Sequence, residues 1–263
     1  MKQNNNKSSN RPISGRLLFA ALIVVFLGGV LYASYNLIST EADYNAAREE
    51  YTVLREMAPQ VTAIIAEPPV EEDIDDIDDT EVNEIPEYIS ELSKLNPDYI
   101  GWIRIDGTSI DYPVVQGKDN DKYMNTTFMG ERNPSGTIFL DSNCKNGFDE
   151  FALIHGHNMR DGSMFAGLHS LLDRDFLANN REITIITSSG ETLRYFILDT
   201  KLTDIHDDIF NMPGLGRNAM TFYFSFHGFS EEEFDTGIDI ITLATCTNNH
   251  RDERLLVFAF RHK

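Results

Sequence analysis

The stretch "LATCTNNHRDERLLVF", Leu243 to Phe258, joins the end of one apolar run to the start of another. The first run is "IDIITLATC", Ile238 to Cys246, and the second is "RLLVFAF", Arg254 to Phe260. Both are short and rich in β-branched, aromatic or leucine side chains, and the residues from Thr247 to Glu253 between them are polar. That pattern predicts two strands joined by a hairpin loop. In an antiparallel pair the end of one strand lies beside the start of the next, so Cys246 and Arg254 become neighbours. A guanidinium beside a thiol favours the thiolate, the form that attacks. It also suits a developing oxyanion, often the largest contribution to acyl transfer.

The same pattern recurs upstream. "IGWIRI" and "SIDYPVVQ" flank Asp106-Gly107, and "GTIFLD", "FALIHG", "EITIIT" and "TLRYFILDT" follow, the last two around Ser188-Ser189-Gly190, a hairpin signal. Helical pattern appears in "YISELSKL", in "NDKYMNTTF" and across "SMFAGLHSLLDRDFLANN". Eight short strands with few helices predict a mainly β fold, a barrel or a sandwich, rather than a βαβ sheet. The stretch from Leu202 to Gly237 carries no decisive pattern.

A thiol nucleophile needs a partner to move protons. The best placed is His157 in "FALIHGHNM", where an apolar strand gives way to polar residues. A strand end presents such a group to solvent on a rigid platform. His155, two residues earlier, projects from the same face. A His-x-His pair is also a metal arrangement, but no third ligand is evident near it. The only other cysteine is Cys144. It has three readings: an inert thiol, a plain disulfide with Cys246, or a reversible one.

The amino-terminal part differs in kind. Lys2, Lys7, Arg11 and Arg16 precede "LLFAALIVVFLGGVLYASYNLIS", Leu17 to Ser39, which carries no charge and is long enough to cross a bilayer. The basic residues before it and the acidic ones after it predict a single-pass anchor in membrane lipid, amino terminus cytoplasmic and the remainder outside. A cleaved signal peptide is the competing reading. Residues 1–16 then form a basic tail, 17–39 the anchor, and 40–59 a stalk helix that Thr40 caps and Ala46, Ala47, Tyr51 and Leu54 stripe. Residues 60–87 form an acidic, disordered linker, and 88–263 the main domain. From Glu67 to Glu91 there are twelve acidic residues and no basic one, more than half of the net charge of −20. That charge argues against nucleic acid as a partner, which calls for a basic footprint.

"TLATC" followed by Arg254 resembles the active-site signature of sortases, cysteine transpeptidases of Gram-positive cell surfaces. "GHNMRDGSMF" resembles the region around the sortase histidine, and "IGWIRIDGTSIDYPVVQGKDNDKYMN" with "GTIFLDSN" resembles class B members. The resemblance implies an eight-stranded sortase-type barrel with a few short helices. It also implies Cys246 as nucleophile, His157 as general acid and base, and Arg254 as oxyanion or substrate clamp, with Arg251 its rival. Asn120, Met124 and Thr245 become substrate-binding residues, and neither metal nor organic cofactor is required. The implied partners are surface proteins bearing an NPxTN-like sorting signal, cut after Thr, and a peptidoglycan-precursor amine that receives them. An endopeptidase releasing surface proteins and a pilin-joining sortase are alternatives. The chain departs from class B in lacking a clear long helix between the sixth and seventh strands.

Overall fold

The computed structural model describes residues 15–58, 86–215, 223–225 and 237–262. The chain forms two compact units, residues 1–43 and 44–263. Helix α1, Gly15–Met57, belongs to both. In the first unit its apolar side chains, Leu22, Val25, Phe26 and Leu31 among them, are exposed.

The second unit is built on eight strands: β1 Tyr99–Ile105, β2 Asp111–Val115, β3 Ile138–Leu140, β4 Phe151–His155, β5 Glu182–Thr187, β6 Thr192–Asp204, β7 Ile238–Cys246 and β8 Glu253–His262. They close into a barrel in the order β1-β2-β3-β4-β7-β8-β6-β5. The β2–β3 and β4–β7 pairs are parallel and the others antiparallel. Closure leaves no open edge, so every strand finds two hydrogen-bonding neighbours. The mainly β fold expected from the strand pattern is therefore observed, and of barrel and sandwich it is the barrel, as the resemblance implies.

Burial explains the apolar runs. From Ile238 to Thr245 every β7 residue is buried, including Asp239 and Thr242, because β7 lies between β4 and β8 and also meets the helical segment at 165–172. A strand covered on both faces reads as a continuous apolar stretch rather than an alternating one. β6 alternates instead, with Leu193, Tyr195 and Ile197 buried and Phe196 and Leu198 exposed.

The helices differ more from expectation. Thr40 caps nothing: its hydroxyl donates to the Asn36 carbonyl at 2.9 Å inside an uninterrupted α1, since no glycine or proline separates the apolar segment from residues 40–57. From Tyr44 onward α1 is part of the barrel unit, and Ala47, Tyr51 and Leu54 are buried while Ala46 is exposed. The compact unit thus begins well before residue 88. Helix α2, Glu87–Leu95, forms where expected. The helical pattern over 163–180 splits into a 3-10 segment, Phe165–Leu172, and helix α3, Arg174–Asn179. Asp173 is the break: its backbone is extended and its carboxylate accepts from the Asp175 and Phe176 amides as an N-cap. The pattern in "NDKYMNTTF" yields a single 3-10 turn, Lys122–Met124. The acidic linker, the basic tail and most of the stretch after Leu215 lie outside the described residues, as does the question of a long helix before β7.

Candidate active site

Cys246 closes β7 and Arg254 sits opposite it in β8, as the hairpin reading requires. The loop between them is tied to itself. Thr247 Oγ1 and Asn249 Nδ2 donate to the Glu253 carboxylate at 2.5 and 3.1 Å. Those two bonds hold the Glu253 carboxyl below the usual carboxylate range. Arg254 Nη1 donates to the carbonyls of Arg251 and Glu253, 3.0 Å each, so the guanidinium is held half-buried at the strand end. Arg251, its rival, is exposed and serves Arg254 through its backbone.

His157 lies two residues beyond the end of β4. Its ring Nε2 meets the Met124 carbonyl at 2.7 Å. A carbonyl only accepts, so Nε2 carries a proton and the neutral ring keeps its lone pair on Nδ1. Its backbone carbonyl accepts from the Phe165 amide at 2.9 Å, and Asn158 bridges Met164, which closes the loop after it. Gly156, just before, has no room for a side chain: a Cβ would stand 2.5 Å from Ile138 Cδ1 and 2.6 Å from Phe165 Cδ2.

One cleft of about 230 Å³ gathers these groups. Cys246, His157 and Arg254 line it, with Met124 and Thr245 and an apolar wall of Phe139, Ile205 and Phe210. Thr245 is 2% exposed, and its hydroxyl has no hydrogen-bond partner among the described residues. Asn120 does not line the cleft. Its amide nitrogen donates to Asp141 Oδ2 at 2.7 Å and its oxygen accepts from the Ser142 amide at 2.8 Å.

Asp141 is the residue that sequence reasoning passed over. It follows β3 in the quoted "GTIFLDSN", but a lone acid at a strand end carries no signal of its own. Its side chain is buried and faces His155 Nε2 at 3.2 Å. Burial alone would raise its pKa. Bonds from His155, the Asn143 amide and Asn120 outweigh burial and hold the carboxyl below the usual range. His155 also lines the cleft, with its ring near-parallel to Phe139 and Phe210. Cys144 and Cys246 are both free. Burial pushes the Cys144 thiol up to about 11, and its sulfur accepts from the Leu153 amide, so this cysteine is an inert core residue.

The Sortase domain family model matches residues 103–262, a span from β1 to β8 that contains Cys246, His157 and Arg254. The chain belongs to the sortase family. Among relatives, this sortase is 38% identical to Sortase B of Listeria monocytogenes over 131 residues, 45% of the chain and 53% of that protein. It is 36% identical to Sortase B of Staphylococcus aureus over 102 residues, 38% of the chain and 41% of that protein. The chain therefore spans about half, or less, of the length of the curated relatives it matches. The crystal structure of Clostridium perfringens sortase B superposes with a TM-score of 0.58 at 30% identity, covering 66% of this chain and 99% of that one.

Proposed function

We propose that this sortase is a membrane-anchored cysteine transpeptidase of the class B kind. It cleaves an NPxTN-like sorting signal of surface proteins after Thr and joins the Thr carbonyl to an amine of the cell wall. The observation that carries the reading is the register pairing of Cys246 with Arg254 in a cleft that also holds His157.

The chemistry follows from those three positions. Cys246 gives its thiol proton to His157 Nδ1, and the resulting thiolate attacks the Thr carbonyl carbon as the carbonyl π electrons move onto oxygen. Arg254, fixed by two backbone carbonyls, offers its remaining N–H groups to that oxyanion. Collapse breaks the C–N bond, and His157, protonated at Nδ1, gives its proton to the leaving amine. The thioacyl enzyme then meets an incoming amine, which loses a proton to Nδ1 as it attacks. The second tetrahedral intermediate expels the thiolate and leaves an amide. The Met124 carbonyl favours this use of the ring because it occupies Nε2 throughout. Met124 and Thr245 stand where the peptide would lie. Asn120 acts behind Asp141 rather than on substrate in this reading.

Residues 17–39 serve as the anchor, with residues 1–16 cytoplasmic, the barrel outside and residues 60–87 as an acidic spacer. The length, apolarity and exposure of α1 over this segment support that reading. The test is intact-mass analysis of the full chain in detergent with an NPxTN-type peptide, with and without an amine, and Cys246→Ala as control. A thioacyl adduct on the wild type alone, discharged by the amine to an amide, is the expected result. Discharge to acid alone in both conditions would instead mark an endopeptidase.

A further inference from the structure

His157 is held at two places, and both supports lead to one residue of α1. The ring is held by the Met124 carbonyl at 2.7 Å. Met124 belongs to a 3-10 turn whose backbone is packed against Gly136: a Cβ there would collide with the Tyr123 and Met124 carbonyls. Gly136 has φ of +57°, a conformation that favours glycine, so the close approach and the backbone both require this residue. Its carbonyl accepts a hydrogen bond from the Tyr51 hydroxyl at 2.5 Å, and Thr137 Oγ1 lies 3.3 Å from the same hydroxyl.

The second support holds the backbone of His157. The Phe165 amide donates to the His157 carbonyl, and Met164, just before it, has φ of +55°, a strained value for methionine. Such a residue persists when its surroundings hold it. Met164 is fully buried and its amide donates to the Tyr112 hydroxyl at 3.1 Å. The Tyr112 ring meets the Tyr51 ring edge to face, with centroids 5.2 Å apart. Tyr51 therefore stands where the two supports meet, itself 3% exposed and not among the residues that line the cleft. Neighbouring α1 residues brace the same segments, Glu50 Oε1 accepting from the Met129 amide and Arg48 pairing with Asp161.

We propose that Tyr51 is a positioning residue for His157, fixing through Gly136 and Tyr112 the carbonyl that selects the ring's tautomer and the loop that carries its backbone. The proposal rests on the role given to His157 above. The phenol packs into the core whether or not its hydroxyl is present, so Tyr51→Phe removes the bond and keeps the ring.

The experiment uses full-length protein in detergent micelles, labelled with 15N-histidine, with His157 signals assigned by their loss in His157→Gln. In the wild type the shifts of the neutral ring should show Nε2 protonated and Nδ1 bare. In Tyr51→Phe a fraction with Nδ1 protonated should appear at His157 alone. Turnover of an NPxTN-type peptide should fall about tenfold in kcat with KM changed less than about twofold. Unchanged His157 signals and kcat, with only a lower unfolding midpoint, would overturn the proposal and leave Tyr51 a packing residue. Tyr112→Phe, which removes the acceptor of the Met164 amide, should show the same signature if Tyr51→Phe does not fold, and its absence there would also overturn the proposal. If the wild type turns over no peptide, the transpeptidase reading fails while the ring signals still decide the role of Tyr51.

Discussion

Arg254 shows how much a single side chain owes to its backbone. Its guanidinium is pinned by two carbonyls of its own loop, which sets its direction before any substrate arrives. Lysine keeps the charge but not the fork, so Arg254→Lys should lower kcat roughly 100-fold while leaving peptide binding nearly intact. Steady-state kinetics against a sorting-signal peptide checks both halves. Asp141 makes the complementary case, a buried acid satisfied by His155, Asn120 and the Asn143 amide. Asp141→Asn keeps the shape and loses the charge, so it should cost about 1–3 kcal/mol, measured by denaturant unfolding. Cys246 and Arg254 could be paired from the sequence because one hairpin joins them. Asp141 and His155 could not, since fourteen residues separate them and only the antiparallel pairing of β3 with β4 brings them together. Asn120 is a different case: the resemblance implies a substrate-binding role, and in the structure its amide nitrogen donates to Asp141.

At the scale of elements, β7 carries both the core and the nucleophile. Ile241 is fully buried in it, and Ile241→Ala should destabilise the protein by about 2–5 kcal/mol in a denaturant titration. Gly156→Ala probes the neighbouring element, where β4 gives way to the His157 loop. The added methyl must displace Ile138 or Phe165, and Phe165 holds the His157 carbonyl. Its peptide turnover should fall proportionally more than its unfolding midpoint. All eight strands were legible because alternating or continuous apolar runs between turn residues have few other uses. The helices were less so. A 3.6-residue pattern over 163–180 describes which side chains face the core, but it is silent about Asp173 competing for the backbone as a cap.

At the scale of the whole molecule, the barrel unit takes in residues 44–57 as well as the domain expected from residue 88. A chain starting at residue 88 should therefore unfold at a lower temperature than one starting at residue 44, because it leaves the ground covered by Ala47, Tyr51 and Leu54 exposed. Comparative calorimetry of the two would show it. Acid stability belongs at this scale too. Burial alone would raise the pKa of Asp207, but bonds from Lys201, Thr203, the Ile209 amide and Tyr223 outweigh it and bring it to about 2. A carboxyl whose folded pKa lies below its unfolded value near 3.9 stabilises fully above that value and loses the effect as pH falls through the folded one. The unfolding midpoint should thus drop between about pH 4 and 2, and Asp207→Asn should flatten the drop while lowering the midpoint at neutral pH.

The sequence by itself determined the strands, the hairpin that sets Cys246 beside Arg254, and the family, because each is encoded in residues close along the chain. The tertiary structure alone decided what closes the barrel, which acid faces His155, and that α1 braces the segments holding His157. Those contacts join residues far apart in sequence, and their partners are chosen by the packing of the barrel rather than by any local preference of the chain.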